Sequence, residues 1–186
     1  MKIRSVSHVG LTVSDFEKSV KWYYEMFGFK LISEKIINKE QAEELYELYR
    51  LKNTAVRLGF LRSPKGGIIE IFEFSSCLPS KHPVWNRPGP THIALDVKNL
   101  KGWYNTLKNK GVEFFSEPQT TSGSDWVFLK DPDGNLIELI DLKYNYRIVK
   151  WLGGIVGKLM ANGKFKKYYS EDDNAKTKQE HCKADS

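Results

Sequence analysis

SHVGLTV at residues 7–13 returns as THIALDV at 91–97, and GGIIEIFEF at 66–74 returns as GNLIELIDL at 134–142. Each copy opens with a histidine and closes with a glutamate: His8 and Glu70, then His92 and Glu138. All four stretches alternate with a period of two, as strands with one buried face do. Val9, Leu11 and Val13 share a face opposite His8, Gly10 and Thr12; Ile93, Leu95 and Val97 repeat the buried set. In the closing strands, Ile69, Ile71 and Glu73 oppose Ile68, Glu70, Phe72 and Phe74, while Ile137 and Leu139 oppose Glu138 and Ile140.

The intervening residues complete the two units. A helix is predicted from an N-cap at Ser14 through DFEKSVKWYYEMF, with Phe16, Val20, Tyr23 and Phe27 as its apolar stripe and Gly28 as its stop. FKLISEKII reads as a strand, KEQAEELYELYRL as a short inserted helix, and AVRLGFLRS and GIIEIFEF as strands around a Pro-Lys-Gly-Gly turn. In the second copy a helix from Leu100 to Lys110 presents Trp103, Tyr104 and Leu107 and stops at Gly111. VEFFSEP and SDWVFLK follow as strands, and DPDGN turns the chain into LIELIDL. The histidine-to-glutamate spacing is 62 residues in the first copy and 46 in the second, and the inserted helix accounts for the excess. The order is βαβββ twice. The expected fold is therefore α+β, with two βαβββ modules (1–74 and 91–142) forming a cupped, partly closed mixed sheet. A Pro-rich linker (75–90) joins the modules, and a C-terminal helical extension (143–169) and a polar, disordered tail (170–186) follow.

Composition narrows the function. An apolar share of 40% with 13% aromatics in 186 residues is ample for a packed interior. No stretch approaches the roughly 18–20 apolar residues of a membrane span, and MKIRSVSHVG lacks the apolar core of a secretory signal. Cys77 and Cys182 are far apart, which fits a reducing cytoplasm better than a disulfide framework. The net charge of +6 is concentrated: residues 143–169 carry seven basic side chains and no acid, the tail is at −2, and the duplicated body is at only +1. A nucleic-acid partner for the body has no electrostatic support.

The helix of each module must bury its stripe against one sheet face, which leaves His8, Glu70, His92 and Glu138 on the opposite, concave side. A carboxylate flanked by isoleucines is costly unless it is paired or bound to a metal. A lone strand histidine is ordinarily a hydrogen-bonded structural residue, and a lone glutamate an edge or ion-pair residue. The joint recurrence of both, with the same facing, is what a divalent-metal site with oxygen and nitrogen ligands requires. Gly10 and Ala94 leave room above such a metal. Trp126 and Phe128 are candidates for the pocket wall or for ordinary core. Glu73 and Asp141, three residues past each glutamate, point away from the site and read as solvent-side or helix-pairing charges. His82 and His181 read as solvated.

These residues carry a resemblance. The paired βαβββ modules, the H-x-G/A-L strand openings and the DPDGNLIEL ending resemble the vicinal oxygen chelate superfamily over residues 5–142. That superfamily includes glyoxalase I, methylmalonyl-CoA epimerase, extradiol dioxygenases and fosfomycin- and bleomycin-resistance proteins. The resemblance implies that His8, Glu70, His92 and Glu138 are the metal ligands, for one ion of nickel, zinc, manganese, cobalt or iron. It implies bidentate chelation of a small carbonyl substrate and formation of an enediolate, with Glu138 or Glu70 as the base, in an isomerase, epimerase or lyase. Where bacterial glyoxalase I places an Arg and an Asn to hold glutathione, this chain has Thr12 and Phe74. With Phe72 beside it, Phe74 suggests a more apolar or aromatic substrate. A sequestration protein of the bleomycin-resistance type is the principal alternative, followed by a ring-cleaving dioxygenase. We expect a homodimer, with pairing of the modules within one chain or across the dimer left open.

RIVKWLGGIVGKLM at 147–160 aligns Ile148, Leu152, Ile155 and Leu159 on one helical face, with Arg147, Lys150 and Lys158 off it. Gly153, Gly154 and Gly157 weaken it as a free helix, so a surface is expected to support it. That surface is the protein's own core or a partner protomer on the bland reading. On the sharper one it is an anionic membrane touched weakly through residues 147–167.

Overall fold

The computed structural model of the chain describes residues 3–79 and 85–169. His82, His181, Cys182 and the 170–186 tail lie outside the described residues. The chain divides into two units, one reaching Thr121 and resuming over Asp125–Asp141, the other made of Ser122–Ser124 and the chain from Leu142 onward.

In the first unit the first copy folds as β1 (Val9–Thr12), α1 (Phe16–Phe27), β2 (Lys30–Ile37), α2 (Lys39–Glu44), α3 (Tyr46–Tyr49), β3 (Val56–Arg62) and β4 (Ile68–Phe74). The second copy folds as β5 (Ile93–Asp96), α4 (Leu100–Asn109), β6 (Gln119–Thr121), β7 (Ser124–Lys130) and β8 (Leu136–Asp141). The strand orders are β1-β4-β3-β2 and β5-β8-β7-β6. In each sheet the opening strand runs parallel to the closing one, and β3 and β7 run antiparallel to β4 and β8. The α+β reading of two βαβββ modules holds, and the strands form two separate four-stranded mixed sheets.

Local chemistry moved some boundaries. The N-cap of α1 is Asp15, not Ser14: its carboxylate accepts from the Lys18 N–H at 2.9 Å, and Ser14 instead donates its backbone N–H to Asp133 in the second module at 3.1 Å. Gly28 ends α1 in the left-handed region, as expected, at φ 72°. The inserted helix is two short helices; Asn38 and Gln41 form a reciprocal capping box that starts α2. VEFFSEP does not form a strand. It makes one bridge, Phe114 to Leu129, and the ladder resumes only at β6, after Pro118, which has no N–H to donate.

One core serves both sheets. Phe16 and Tyr23 from α1, Ile71 from β4, Leu107 from α4, and Val127 and Leu139 from the second sheet are all buried within it. Phe27 packs on Trp103 with ring centroids 6.1 Å apart, Lys110 donates to the Glu25 carbonyl at 2.7 Å, and Tyr23 donates to Asp131 at 3.0 Å. The modules therefore meet through their helical sides. Strand alternation then turns Glu70 and Glu138 to the sheet faces opposite this core.

The second unit is helical from Asn145 to Asn162: α5 (Asn145–Arg147), one π turn (Ile148–Leu152) and α6 (Gly153–Asn162), followed by a 3₁₀ turn over Lys166–Tyr168. No residue of these elements is buried. Asn145 ties the helix start to the Ser122 carbonyl at 3.0 Å. No helix of the described residues is long and apolar enough to cross a membrane.

Candidate functional site

Each glutamate sits on the second strand of its sheet, between a small residue on one neighbour and a phenylalanine on the other. Glu70 is in register with Gly10 and Phe60, and Glu138 with Ala94 and Phe128. Each histidine stands just ahead of the opening strand and reaches across to its own glutamate. His8 Nε2 lies 3.0 Å from a Glu70 carboxylate oxygen, and His92 Nε2 lies 3.4 Å from one of Glu138. The carboxylates are largely shielded, at 15% and 16% side-chain exposure, while the imidazoles reach solvent.

The other nitrogen of each ring has a partner too. Ser7 Oγ lies 3.2 Å from His8 Nδ1, and Thr91 Oγ1 lies 2.9 Å from His92 Nδ1. With Nδ1–H donated to that hydroxyl, the ring would carry its lone pair on Nε2, as a metal ligand needs. Phe60 meets the His8 ring edge-on at 5.4 Å, and Phe128 meets His92 at 5.1 Å. Ser7, Thr91 and Phe60 were missed in the sequence, although it held the signal: Ser/Thr precedes both histidines, and Phe60 lies 68 residues before Phe128, the offset that separates the glutamates.

The surroundings of the two dyads differ. Beside the second, the linker residue Trp85 packs on His92 at 5.7 Å and on Phe128 at 5.4 Å. Trp126, which bonds Thr121 through its indole N–H, lies 5.7 Å from Phe128, so both candidates for pocket wall or core join this aromatic group. Beside the first, Phe72 and Phe74 stack at 6.3 Å, and both pack onto Ile37, Ala42 and Val56; Tyr49 of α3 meets Phe74 at 5.5 Å. The inserted helices thus engage Phe72 and Phe74. Gly10, Thr12 and Ala94 are solvent-facing or nearly so. A Cβ at Gly10 would sit 3.4 Å from the Phe72 ring, so that position is confined on one side only.

Glu73 and Asp141 do pair with helices. Glu73 accepts the Phe16 N–H at the start of α1 at 3.1 Å, and Asp141 accepts the Asn99 N–H at the start of α4 at 2.8 Å. A carboxylate there complements the positive end of the helix dipole.

Among the described residues, no group of three or more His, Cys, Asp or Glu side chains converges on one point. One chain therefore brings its four candidate ligands together as two dyads, His8–Glu70 and His92–Glu138. Each glutamate lies on the face of its own sheet away from the shared core of buried residues. A cavity of about 540 Å³ lined by Trp22, Met26, Lys110, Asp131 and Asp133 contains no dyad residue.

The family described as Glyoxalase/Bleomycin resistance protein/Dioxygenase superfamily matches residues 5–139. A lactoylglutathione lyase of Schizosaccharomyces pombe is 27% identical over 146 residues, which are 75% of this chain and 48% of the yeast protein, so the chain spans about half of that relative's length. A probable lactoylglutathione lyase of Vibrio cholerae is 28% identical over 77% of this chain and 94% of its own length. A glyoxalase family protein from Bacillus cereus superposes with a TM-score of 0.63 at 18% identity, covering 76% of this chain and 95% of that one.

Proposed function

Because the chain belongs to the Glyoxalase/Bleomycin resistance protein/Dioxygenase superfamily, we propose that it is a divalent-metal-dependent enzyme. It removes a proton beside the carbonyl of a small substrate, with an isomerase, epimerase or lyase outcome. The observation that carries this reading is the duplicated dyad, with each imidazole presenting Nε2 to a shielded carboxylate and its outer nitrogen at a hydroxyl. Two imidazoles and two carboxylates form a neutral oxygen-and-nitrogen donor set for one dication, and His8, Glu70, His92 and Glu138 would hold it. When bound, the metal polarises a substrate carbonyl and acidifies the adjacent C–H. A glutamate would then take that proton and return it, with Glu70 or Glu138 as the base.

Among the described residues a single chain offers two half-sets, and the reading puts the complete site in a homodimer, where the first dyad of one protomer would meet the second dyad of its partner. Two copies related by a twofold axis would form two such sites. The names of the relatives suggest a glyoxalase-type lyase. Thr12 and Phe74, with the aromatic group around Trp85, favour a substrate more apolar than a glutathione hemithioacetal.

Elemental analysis of the dimer purified without added metal, combined with turnover of 2-oxo and thioester substrates in deuterated water, tests the proposal. Co-purified divalent metal and deuterium incorporation beside the carbonyl are expected, with both reduced in Glu138→Gln. A metal-free protein that gains no activity on adding divalent ions would replace the enzyme with a small-molecule sequestration protein.

A further inference from the structure

The second unit has features that neither the dyads nor their chemistry use. Its helical run from Asn145 to Asn162 is 18 residues, about 27 Å long at 1.5 Å per residue. Its large apolar side chains are turned to solvent: Trp151 is 79% exposed, Ile155 61% and Leu159 68%. Ile148 and Leu152 fall on the same flank of the helix, and the three glycines Gly153, Gly154 and Gly157 leave the remainder slender. Tyr144, Tyr168 and Tyr169 flank the run and are also exposed.

Charge narrows the choice of what covers this face. Six cations lie between Arg147 and Lys167, with no acid from 143 to 169. Several hold their heads beside aromatic rings: Lys150 lies 6.0 Å from Tyr146, Lys164 5.6 Å from Phe165 and Lys167 5.0 Å from Tyr168. A symmetric contact between two copies of this segment would set six cations against six. A nucleic acid would satisfy the cations and leave Ile155 and Leu159 wet. An anionic bilayer surface satisfies both, because apolar side chains enter the acyl boundary, Trp and Tyr take the interface, and basic heads reach the lipid phosphates and carboxylates.

We propose that residues 145–169 form a peripheral docking element for anionic lipid membranes. The element lies in the plane of the surface, since it is neither long nor apolar enough to cross. It is independent of the metal reading, and it survives if that reading fails.

Co-sedimentation of the full-length protein with vesicles of phosphatidylcholine alone, and of phosphatidylcholine with phosphatidylserine, tests this. Binding is expected only to the anionic vesicles and is expected to weaken as salt rises. Lys150→Gln combined with Lys158→Gln is expected to reduce partitioning by at least about tenfold. Trp151→Ala is expected to reduce it by about tenfold through loss of its apolar anchor. All three residues are exposed, and thermal melts check that the fold is unchanged. Absence of binding to anionic vesicles overturns the proposal. So does equal binding to neutral ones, or a charge variant that binds as the wild type does. Dissociation of a dimer by Trp151→Ala, without any vesicle binding in the parent, would assign the face to self-association instead.

Discussion

Tyr23, on α1, donates a 3.0 Å hydrogen bond to Asp131, 108 residues further along the chain, with both residues buried. Asp131 also accepts the backbone N–H groups of Asp133 and Asn135 and the Asn135 side-chain amide, at 2.8–3.0 Å. The Asp-Pro-Asp-Gly-Asn turn is thus organised around one carboxylate that is latched to the other module. Burial raises the Asp131 carboxyl above its ordinary value despite these donors. Burial first, and then the charge of Asp131, push the Tyr23 phenol well above the usual range.

Replacing Tyr23 by Phe removes that latch and leaves Asp131 three donors, so a loss of about 1–2 kcal/mol of stability is expected. The phenol's raised folded value makes its contribution complete below about pH 10, the ordinary tyrosine value, and lost as pH rises from there. Urea denaturation across that range should show the wild type losing stability more steeply than Tyr23→Phe. Parallel curves would remove the alkaline role.

The hydroxyls behind the histidines orient the rings. Thr91→Val, which deletes the 2.9 Å contact to His92, is expected to weaken divalent-metal binding by about 10- to 100-fold. Thr91→Ser should restore most of it, and Ser7→Ala, with its longer 3.2 Å contact, should cost less. Competitive titration with a chromogenic chelator reads all three. Unchanged affinity in Thr91→Val would leave these hydroxyls as simple surface contacts.

The proposed division of the ligands between two protomers would have its own signature. His8→Ala and Glu138→Gln should each be nearly inactive alone. After denaturation, mixing and refolding, the heterodimer has one site free of substitutions, so about a quarter of wild-type activity per chain is expected to return. No recovery would place all four ligands in one chain.

Gly59 on β3 faces α1 at close quarters. A Cβ there would lie 2.7 Å from the Phe16 ring, 2.9 Å from Leu31 and 3.0 Å from the Ser33 carbonyl oxygen. The guanidinium of Arg57, 4.2 Å above the same ring, hinders Phe16 from retreating. Gly59→Ala is expected to cost about 1–3 kcal/mol through overpacking, visible as a lowered melting temperature.

Alternation made the modules and the dyads legible, because a strand with one buried face writes its geometry directly into residue order. His8, Glu70, His92 and Glu138 fell on predictable faces for that reason. VEFFSEP misled because its composition suits a strand, while Pro118 interrupts the donor row that a ladder needs. The cap at Asp15 rather than Ser14 was a choice between adjacent good cappers, decided by Ser14's backbone bond to Asp133. The separation of the dyads was unreadable, since it depends on which faces of two modules pack together. No local period encodes that choice, and the Tyr23–Asp131 bond joins residues too far apart in sequence for any spacing rule.

The copies agree in their histidine–glutamate dyads and disagree in what stands beside them. Phe72 and Phe74 of the first sheet pack with the inserted α2–α3 pair, while Trp85 and Trp126 stand around His92 and Phe128 in the second. A flat, enolised molecule gripped by both halves would meet unlike walls on its left and right, although the atoms holding it are matched. The walls beside the two dyads come from the insertion and the linker, the parts of the chain that the two copies do not share.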